Sequence, residues 1–162
     1  MVLNARPNEL PQILRIITFN ILLIMLLYPG IKVTLVEFFQ SENNKIVSYG
    51  YICLFFLIFL LIILEYSWIY VIYMDPGSLS NEIIHRGEEA LLKYPKCPKC
   101  NLPKPPRCHH CSQCGCILFM DHHCDAIGRC LGYRNFKVFI LVLFYGSLTC
   151  LCGALVIFTA WF

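Results

Sequence analysis

The chain has 162 residues, of which 58% are hydrophobic and 14% charged, with a formal net charge of +3. Average soluble domains carry roughly 25% charged residues, so this composition excludes an ordinary water-soluble globule. The small net charge also argues against a nucleic-acid partner.

After a short N-terminal tail (1–12), the first apolar run is Ile16 to Ile31, 16 residues between Arg15 and Lys32. Both cations have stems long enough to carry their charges to a bilayer surface. The run predicts a transmembrane helix over 13–36, with Pro29 and Gly30 as a kink near one end. No small-residue cleavage site follows it, as a removed signal peptide would need. A short loop (37–45) leads to Ile46 to Leu64, 19 residues without a charge. About 20 residues cross a bilayer, so a second span is predicted over 46–74. Glu65 lies toward one end of it and is read as an interfacial or paired carboxylate. Tyr66, Trp68, Tyr70 and Tyr73 nearby fit an aromatic belt.

Asp75-Pro76-Gly77 should end that helix, since proline cannot continue it and glycine takes the turn. In the linker (75–94), Ser80 or Asn81 is expected to cap a short helix. Ile83, Ile84, Leu91 and Leu92 give that helix an apolar stripe, and His85 is expected to be solvated. Residues 95–135 are rich in cysteine, histidine and proline, which points to short hairpins and loops held by metal. Val138 to Phe162 is 25 residues without a charge and predicts a third span over 136–162. Cys53, Cys150 and Cys152 fall in the spans, where thiols act as small hydrophobes. The fold class expected is therefore an all-α integral membrane bundle of three helices with a small two-zinc, cysteine-rich segment.

Nine of the thirteen Lys and Arg residues lie between Asp75 and Lys137, and one lies in the loop from Glu37 to Lys45. By the positive-inside rule the long segment and the N-terminus are cytosolic and the short loop is lumenal. The basic segment abuts two spans, which fits anionic lipid or an acidic cofactor.

Eight of the eleven cysteines and four of the five histidines fall between Cys97 and Cys130. Disulfides would account for the cysteines but not for the interleaved histidines, whereas zinc accounts for both and persists in a reducing cytosol. Two Cys-x-x-Cys knuckles, Cys97/Cys100 and Cys111/Cys114, would each need two further ligands. Twelve candidates are present for eight positions, and the spacing leaves open which four are spare. Among them, Asp121-His122-His123-Cys124 sets a carboxylate, imidazoles and a thiol side by side. A neighbouring histidine can deprotonate a thiol, and an aspartate can orient the imidazole.

Three stretches resemble the DHHC family of membrane protein S-acyltransferases (palmitoyltransferases): "CPKCNLPKPPRCHHCSQCGCILFMDHHC" followed by five residues and Cys130, "NFKVF" opening the third span, and Asp75-Pro76-Gly77 after the second. The resemblance implies that Cys97, Cys100, His110 and Cys116 hold one structural zinc ion and that Cys111, Cys114, His123 and Cys130 hold another. It implies Cys124 as nucleophile, His122 as its base and Asp121 as partner of His122. It further implies acyl-CoA (palmitoyl-CoA) as donor and an acyl-Cys124 intermediate. The acceptors would be membrane-proximal cysteines of cytosol-facing proteins, and the location an endomembrane (Golgi or endoplasmic reticulum) or the plasma membrane. Lys137, Arg134 and Arg129 are candidates for attracting CoA phosphates or, alternatively, plain juxtamembrane charge.

The family usually has four or more spans, so three spans ending at Phe162 read as a fragment, a splice product or a divergent member. The alternatives to an enzyme are a membrane-anchored zinc module without turnover, or a regulatory partner of another subunit. Locally, Asp125-Ala126 replaces the family's Pro-Trp, and Gly128-Arg129 replaces an asparagine pair. Asp125 is expected to disfavour the Cys124 thiolate by like-charge repulsion, and Ala126 to loosen packing. Cys114 and Cys116 are separated by one residue instead of two, which leaves Cys108 as a rival ligand to Cys116.

Overall fold

The structure, a computed structural model, describes residues 9–86 and 93–161. In chain order the elements are α1 (Glu9–Phe39), α2 (Asn44–Tyr73), α3 (Leu79–Arg86), β1 (Cys108–Cys111), β2 (Gly115–Leu118), β3 (His123–Cys124), β4 (Arg129–Cys130) and α4 (Phe136–Trp161). Among the described residues, three stretches are long and apolar enough to cross a membrane: Pro11–Lys32, Asn44–Tyr73 and Phe136–Phe158. The chain divides into two compact units. One combines Ile16–Trp68 with Leu141–Phe162, and the other combines Met1–Arg15 with Ile69–Ile140.

In the helical unit the packed faces are narrow and the rest is apolar and open. Leu57, Leu60 and Leu64 of α2 and Val142 of α4 are buried, while Leu22, Met25, Phe55, Phe56, Phe144 and Phe158 are more than half exposed. Water would not tolerate such a surface, whereas hydrocarbon does. Glycines let neighbours close in: a Cβ on Gly30 of α1 would sit 3.1 Å from Ile157 of α4. Helix α1 continues past Pro29 to Phe39, ten residues beyond the expected kink. Trp68 belongs to the interior and not to an aromatic belt, being 8% exposed and stacked on Phe19 with centroids 4.4 Å apart. Tyr66, more than half exposed, keeps the outward position expected of it. Cys150 is exposed on its helix, whereas Cys53 and Cys152 are half-buried. Glu65 is the paired carboxylate anticipated, accepting a hydrogen bond from Asn20 Nδ2 at 2.9 Å. The two line one end of a groove of about 520 Å³ whose other walls include Leu27, Ile31, Ile58 and Ile62.

Among its described residues the other unit carries α3 and two antiparallel hairpins. In β1–β2 the register pairs Cys108 with Leu118, His109 with Ile117, His110 with Cys116 and Cys111 with Gly115. In β3–β4 it pairs His123 with Cys130 and Cys124 with Arg129. Both metal knuckles end on a residue in the left-handed region, Asn101 (φ 58°) after Cys100 and Gly115 (φ 82°) after Cys114. Asparagine and glycine tolerate that conformation best, and it lets the chain double back after the second cysteine.

The Asp75-Pro76-Gly77 turn organises the start of this unit. Helix α2 stops at Tyr73, and Gly77 takes φ 101°. The Asp75 carboxylate accepts from the backbone N–H groups of Gly77 and Ser78. Helix α3 begins at Leu79, one or two residues before the caps expected at Ser80 or Asn81, because the Asp75 turn has already ordered the approach. Leu91, Leu92 and the side chains of Ile83, Ile84 and His85 lie outside the described residues. The turn meets the end of β2, where Leu118 N–H donates to Gly77 O at 3.0 Å, and the segment leading into α4. A Cβ on Gly132 would lie 2.2 Å from Pro76 O, so only glycine fits there. Asn135, fully buried at the N-cap of α4, accepts from Gly132 N–H at 2.9 Å and donates to Cys130 O at 3.0 Å.

Candidate metal centres and nucleophile

Strand alternation decides which side chains can meet. Residues paired across a hairpin project to the same face, with Cβ atoms about 5 Å apart, and sequence neighbours project to opposite faces. His110 and Cys116 are such a pair, and so are His123 and Cys130. Each pair meets one knuckle. The donor atoms of Cys97, Cys100, His110 and Cys116 lie within 4.8 Å of one another, as do those of Cys111, Cys114, His123 and Cys130.

The spacing within these groups is that of a metal tetrahedron. With Zn–S about 2.3 Å and Zn–N about 2.0–2.1 Å, a tetrahedron has S···N edges of about 3.6 Å. His123 Nδ1 lies 3.5, 3.4 and 3.6 Å from the sulfurs of Cys111, Cys114 and Cys130. His110 Nδ1 lies 3.5 Å from Cys116 Sγ, and the Cys100 and Cys116 sulfurs are 3.3 Å apart. Protonation shows what such crowding demands. The adjoining Cys130 thiol, by hydrogen bonding, holds Cys114 down to about 5. Cys130 is driven well above the ordinary thiol range by that same contact and by burial. Burial and the Cys100 thiol push Cys116 up likewise, whereas the Lys99 backbone N–H draws Cys97 down to about 7. Thiols this close cannot all ionise without a cation among them. A divalent ion with a preference for sulfur and imidazole removes the conflict, so both donor sets fit zinc.

The one-residue gap between Cys114 and Cys116 is accommodated because the two serve different groups, with Gly115 reversing the chain between them. Cys108 is buried beside the first group but packs with Leu79 in an apolar cluster, and burial raises its thiol. His109, on the opposite face of β1 from His110, is exposed.

Cys124 follows His123 in β3, so alternation turns it away from the metal face and sets it across from Arg129. It is half-buried. His122 Nδ1 and Asp121 Oδ2 are 2.6 Å apart, and both side chains are about half exposed. That contact fixes the tautomer and leaves Nε2 as the nitrogen that can take a proton. The His122 ring also stands edge-on to Phe139, at 6.3 Å between centroids. The segment is anchored by Asp121 N–H to Leu131 O and by Leu131 N–H to His122 O, each 2.8 Å.

Asp125 is turned toward the metal group. Its Oδ1 lies 3.6 Å from His123 Nε2, while Nδ1 of the same ring faces the three sulfurs. A carboxylate on the far nitrogen of a ligating histidine orients the ring and raises its basicity. The carboxylate is 93% exposed, so solvent screens its repulsion on Cys124. Ala126 is exposed, and the next residue, Ile127, is fully buried. Asp125→Ala is expected to speed zinc loss to a chelator by several-fold, toward the lower end of the roughly 10–100-fold typical of such partners, and Asp125→Asn less. Colorimetric zinc release would show it, and identical release rates would refute it.

The basic candidates are mostly engaged. Arg134 pairs with Glu82 at 2.7 Å and lies 3.8 Å from Asp75, and Tyr133 OH donates to the same Glu82 carboxylate. Glu82 is 2% exposed, and breaking such a buried pair typically costs about 3–5 kcal/mol. Arg129 donates to two backbone carbonyls. Lys137 is exposed. Sequence reasoning missed the Glu82, Tyr133, Arg134 and Asp75 network, for which nothing local signals the pairing. It also missed Asn135, although an asparagine directly before an apolar helix is an N-cap signature.

Residues 92–162 match the family model described as DHHC palmitoyltransferase. Through this segment the chain belongs to the DHHC family. It is 35% identical over 134 residues to the probable protein S-acyltransferase 12 of Arabidopsis thaliana, covering 73% of this chain and 45% of that one. It is 55% identical over 56 residues to palmitoyltransferase ZDHHC15 of Xenopus laevis, covering 34% of this chain and 17% of that one. Against human palmitoyltransferase ZDHHC2 it is 43% identical over 84 residues, covering 46% of this chain and 23% of that one. The chain thus spans less than half the length of each of these relatives. With its three apolar helices, this DHHC-family chain is an integral membrane protein.

Proposed function

We propose that the chain is a protein S-acyltransferase acting through Cys124. The observation that carries this reading is the Asp121–His122 contact of 2.6 Å, two residues from a thiol turned off the metal face. His122 Nε2 takes the Cys124 proton, and Asp121 steadies the resulting imidazolium. The thiolate attacks the thioester carbonyl carbon of a long-chain acyl-CoA such as palmitoyl-CoA. The C–S bond to CoA breaks, and CoA leaves as the thiol with the proton held by His122. A cysteine thiol of a second protein then repeats the exchange, taking the acyl group and returning the proton to Cys124.

The two donor groups, each of three cysteines and one histidine, would hold structural zinc ions. These supply folding energy to a segment too small for a core of its own. The names of the relatives, palmitoyltransferases and probable S-acyltransferases, support this class. By the charge pattern the metal segment is cytosolic, so the substrates are cytosol-facing proteins with cysteines near the bilayer. The membrane is an endomembrane, Golgi or endoplasmic reticulum, with the plasma membrane as the alternative.

The test is to give purified, zinc-loaded protein in lipid nanodiscs labelled palmitoyl-CoA. A label on the chain that hydroxylamine removes and that passes to a thiol-bearing peptide is expected. Folded protein with two zinc ions and no label would instead support a zinc module without turnover.

A further inference from the structure

The hairpin that carries Cys124 is held at two further points, each by an arginine. Arg129 lies across the hairpin from Cys124 in the register. Its Nη1 donates to Tyr73 O and to Met74 O, each at 2.9 Å. These carbonyls belong to the C-terminal end of α2, where the helix has no N–H left to offer them and where a cation is favoured. The guanidinium is partly desolvated by its surroundings, which lowers its pKa. The second point is the hairpin turn. Arg15 of α1 donates from Nε to Asp125 O at 3.1 Å. Its guanidinium occupies the space beside Gly128, where an added Cβ would meet Arg15 Cζ at 2.5 Å. Gly128 also adopts φ 65°, which favours glycine. The adjacent residues Gly128 and Arg129 therefore work together. Glycine admits one arginine to the turn, and the next residue reaches the end of α2.

We propose that Arg129 is a positioning residue for the Cys124 nucleophile, fixing its hairpin to the end of α2 while Arg15 fixes the turn to the start of α1. The proposal rests on the acyltransferase reading. It assigns Arg129 a role other than holding CoA phosphates, since its Nη1 is already engaged by two backbone carbonyls. Misplacing a reacting atom by about 1 Å can cost as much as 10²-fold in rate. Loss of the anchor should therefore lower kcat and leave donor binding nearly intact.

The experiment uses the full chain in lipid nanodiscs, as wild type, Arg129→Ala and Arg129→Lys. Three quantities are read: zinc per chain, the dependence of thioester formation on palmitoyl-CoA concentration, and the alkylation rate of Cys124 by a small water-soluble maleimide, followed by peptide mass spectrometry. Arg129→Ala is expected to keep two zinc ions, lose about tenfold or more in kcat and keep KM within about twofold. Arg129→Lys, which retains charge and one donor toward the carbonyls, should recover part of the rate. A rise in KM at unchanged kcat would make Arg129 a donor-binding residue and overturn the proposal. So would wild-type kinetics in Arg129→Ala, or loss of zinc in both variants. If wild type takes no label at all, the acyltransferase reading fails by itself, and the positioning role is judged on alkylation. A change of threefold or more at Cys124 with zinc retained supports it, and an unchanged rate overturns it.

Discussion

Cys124→Ser is expected to abolish thioester labelling by palmitoyl-CoA, a fall on the order of 10³-fold or more, while the protein keeps two zinc ions per chain. The two halves of the expectation rest on different facts. The loss follows from chemistry: a serine hydroxyl ionises far less readily than a thiol, and an acyl group on serine would be an oxyester and not the thioester that is read. The retention follows from the β3–β4 register, in which His123 and Cys130 share the metal face and Cys124 shares the other face with Arg129. His122→Ala should leave zinc intact too and lower the rate by about 10²–10⁴, the usual contribution of a positioned base. Labelling, read as hydroxylamine-sensitive counts, and zinc, read by elemental analysis, separate the possibilities. If Cys124→Ser releases a zinc ion, the division of labour between His123 and Cys124 is wrong.

That division is only half legible in the sequence. Residue types and the two Cys-x-x-Cys knuckles announce metal, because few other uses bring eight cysteines and four histidines into one short segment. Charge-free runs likewise announce the spans, since nothing but lipid accepts them. What the residues cannot announce is the allocation of twelve donors among two metals and a nucleophile. Allocation depends on register, and a one-residue slip would exchange Cys124 for His123 on the metal face. The resemblance to the DHHC family supplies an allocation that the hairpins make intelligible. Asp125 illustrates the same limit. Beside Cys124 in sequence it reads as a repulsive charge, yet its carboxylate is turned to His123. Arg129 and Glu82 find their partners 55 and 51 residues away, at a helix end and in the approach to α4, where no local pattern points. Trp68 departs from expectation for a related reason. Its composition suits an interface, but its packing against Phe19 is set by the neighbouring helix.

Replacing Cys130 with serine is expected to remove one of the two zinc ions and to unfold the β3–β4 hairpin, taking the acyl-transfer activity with it. Cys130 is fully buried, and its sulfur completes the trio of sulfurs around His123 Nδ1. Serine offers that site no soft ligand. Structural zinc in small domains contributes roughly 10–16 kcal/mol of binding energy to folding, so even partial loss exceeds what one hairpin can supply from packing. The first metal group, Cys97 with Cys100, His110 and Cys116, draws on β1–β2 and shares no ligand with the second. One zinc ion per chain should therefore remain. Cys108→Ala is the control: that thiol is buried but outside both donor sets, so both ions should stay, with a packing loss of about 1 kcal/mol. Acid acts in the same direction as Cys130→Ser, because protons compete with zinc for thiolates, and zinc release should grow as pH falls. Elemental analysis of each variant at neutral pH and of the wild type over a falling pH series, paired with thermal denaturation, reads all three outcomes. Two zinc ions in Cys130→Ser would mean that a different cysteine supplies the sulfur around His123 than the hairpin register implies, and one in Cys108→Ala would mean that Cys108 is a ligand of the first group.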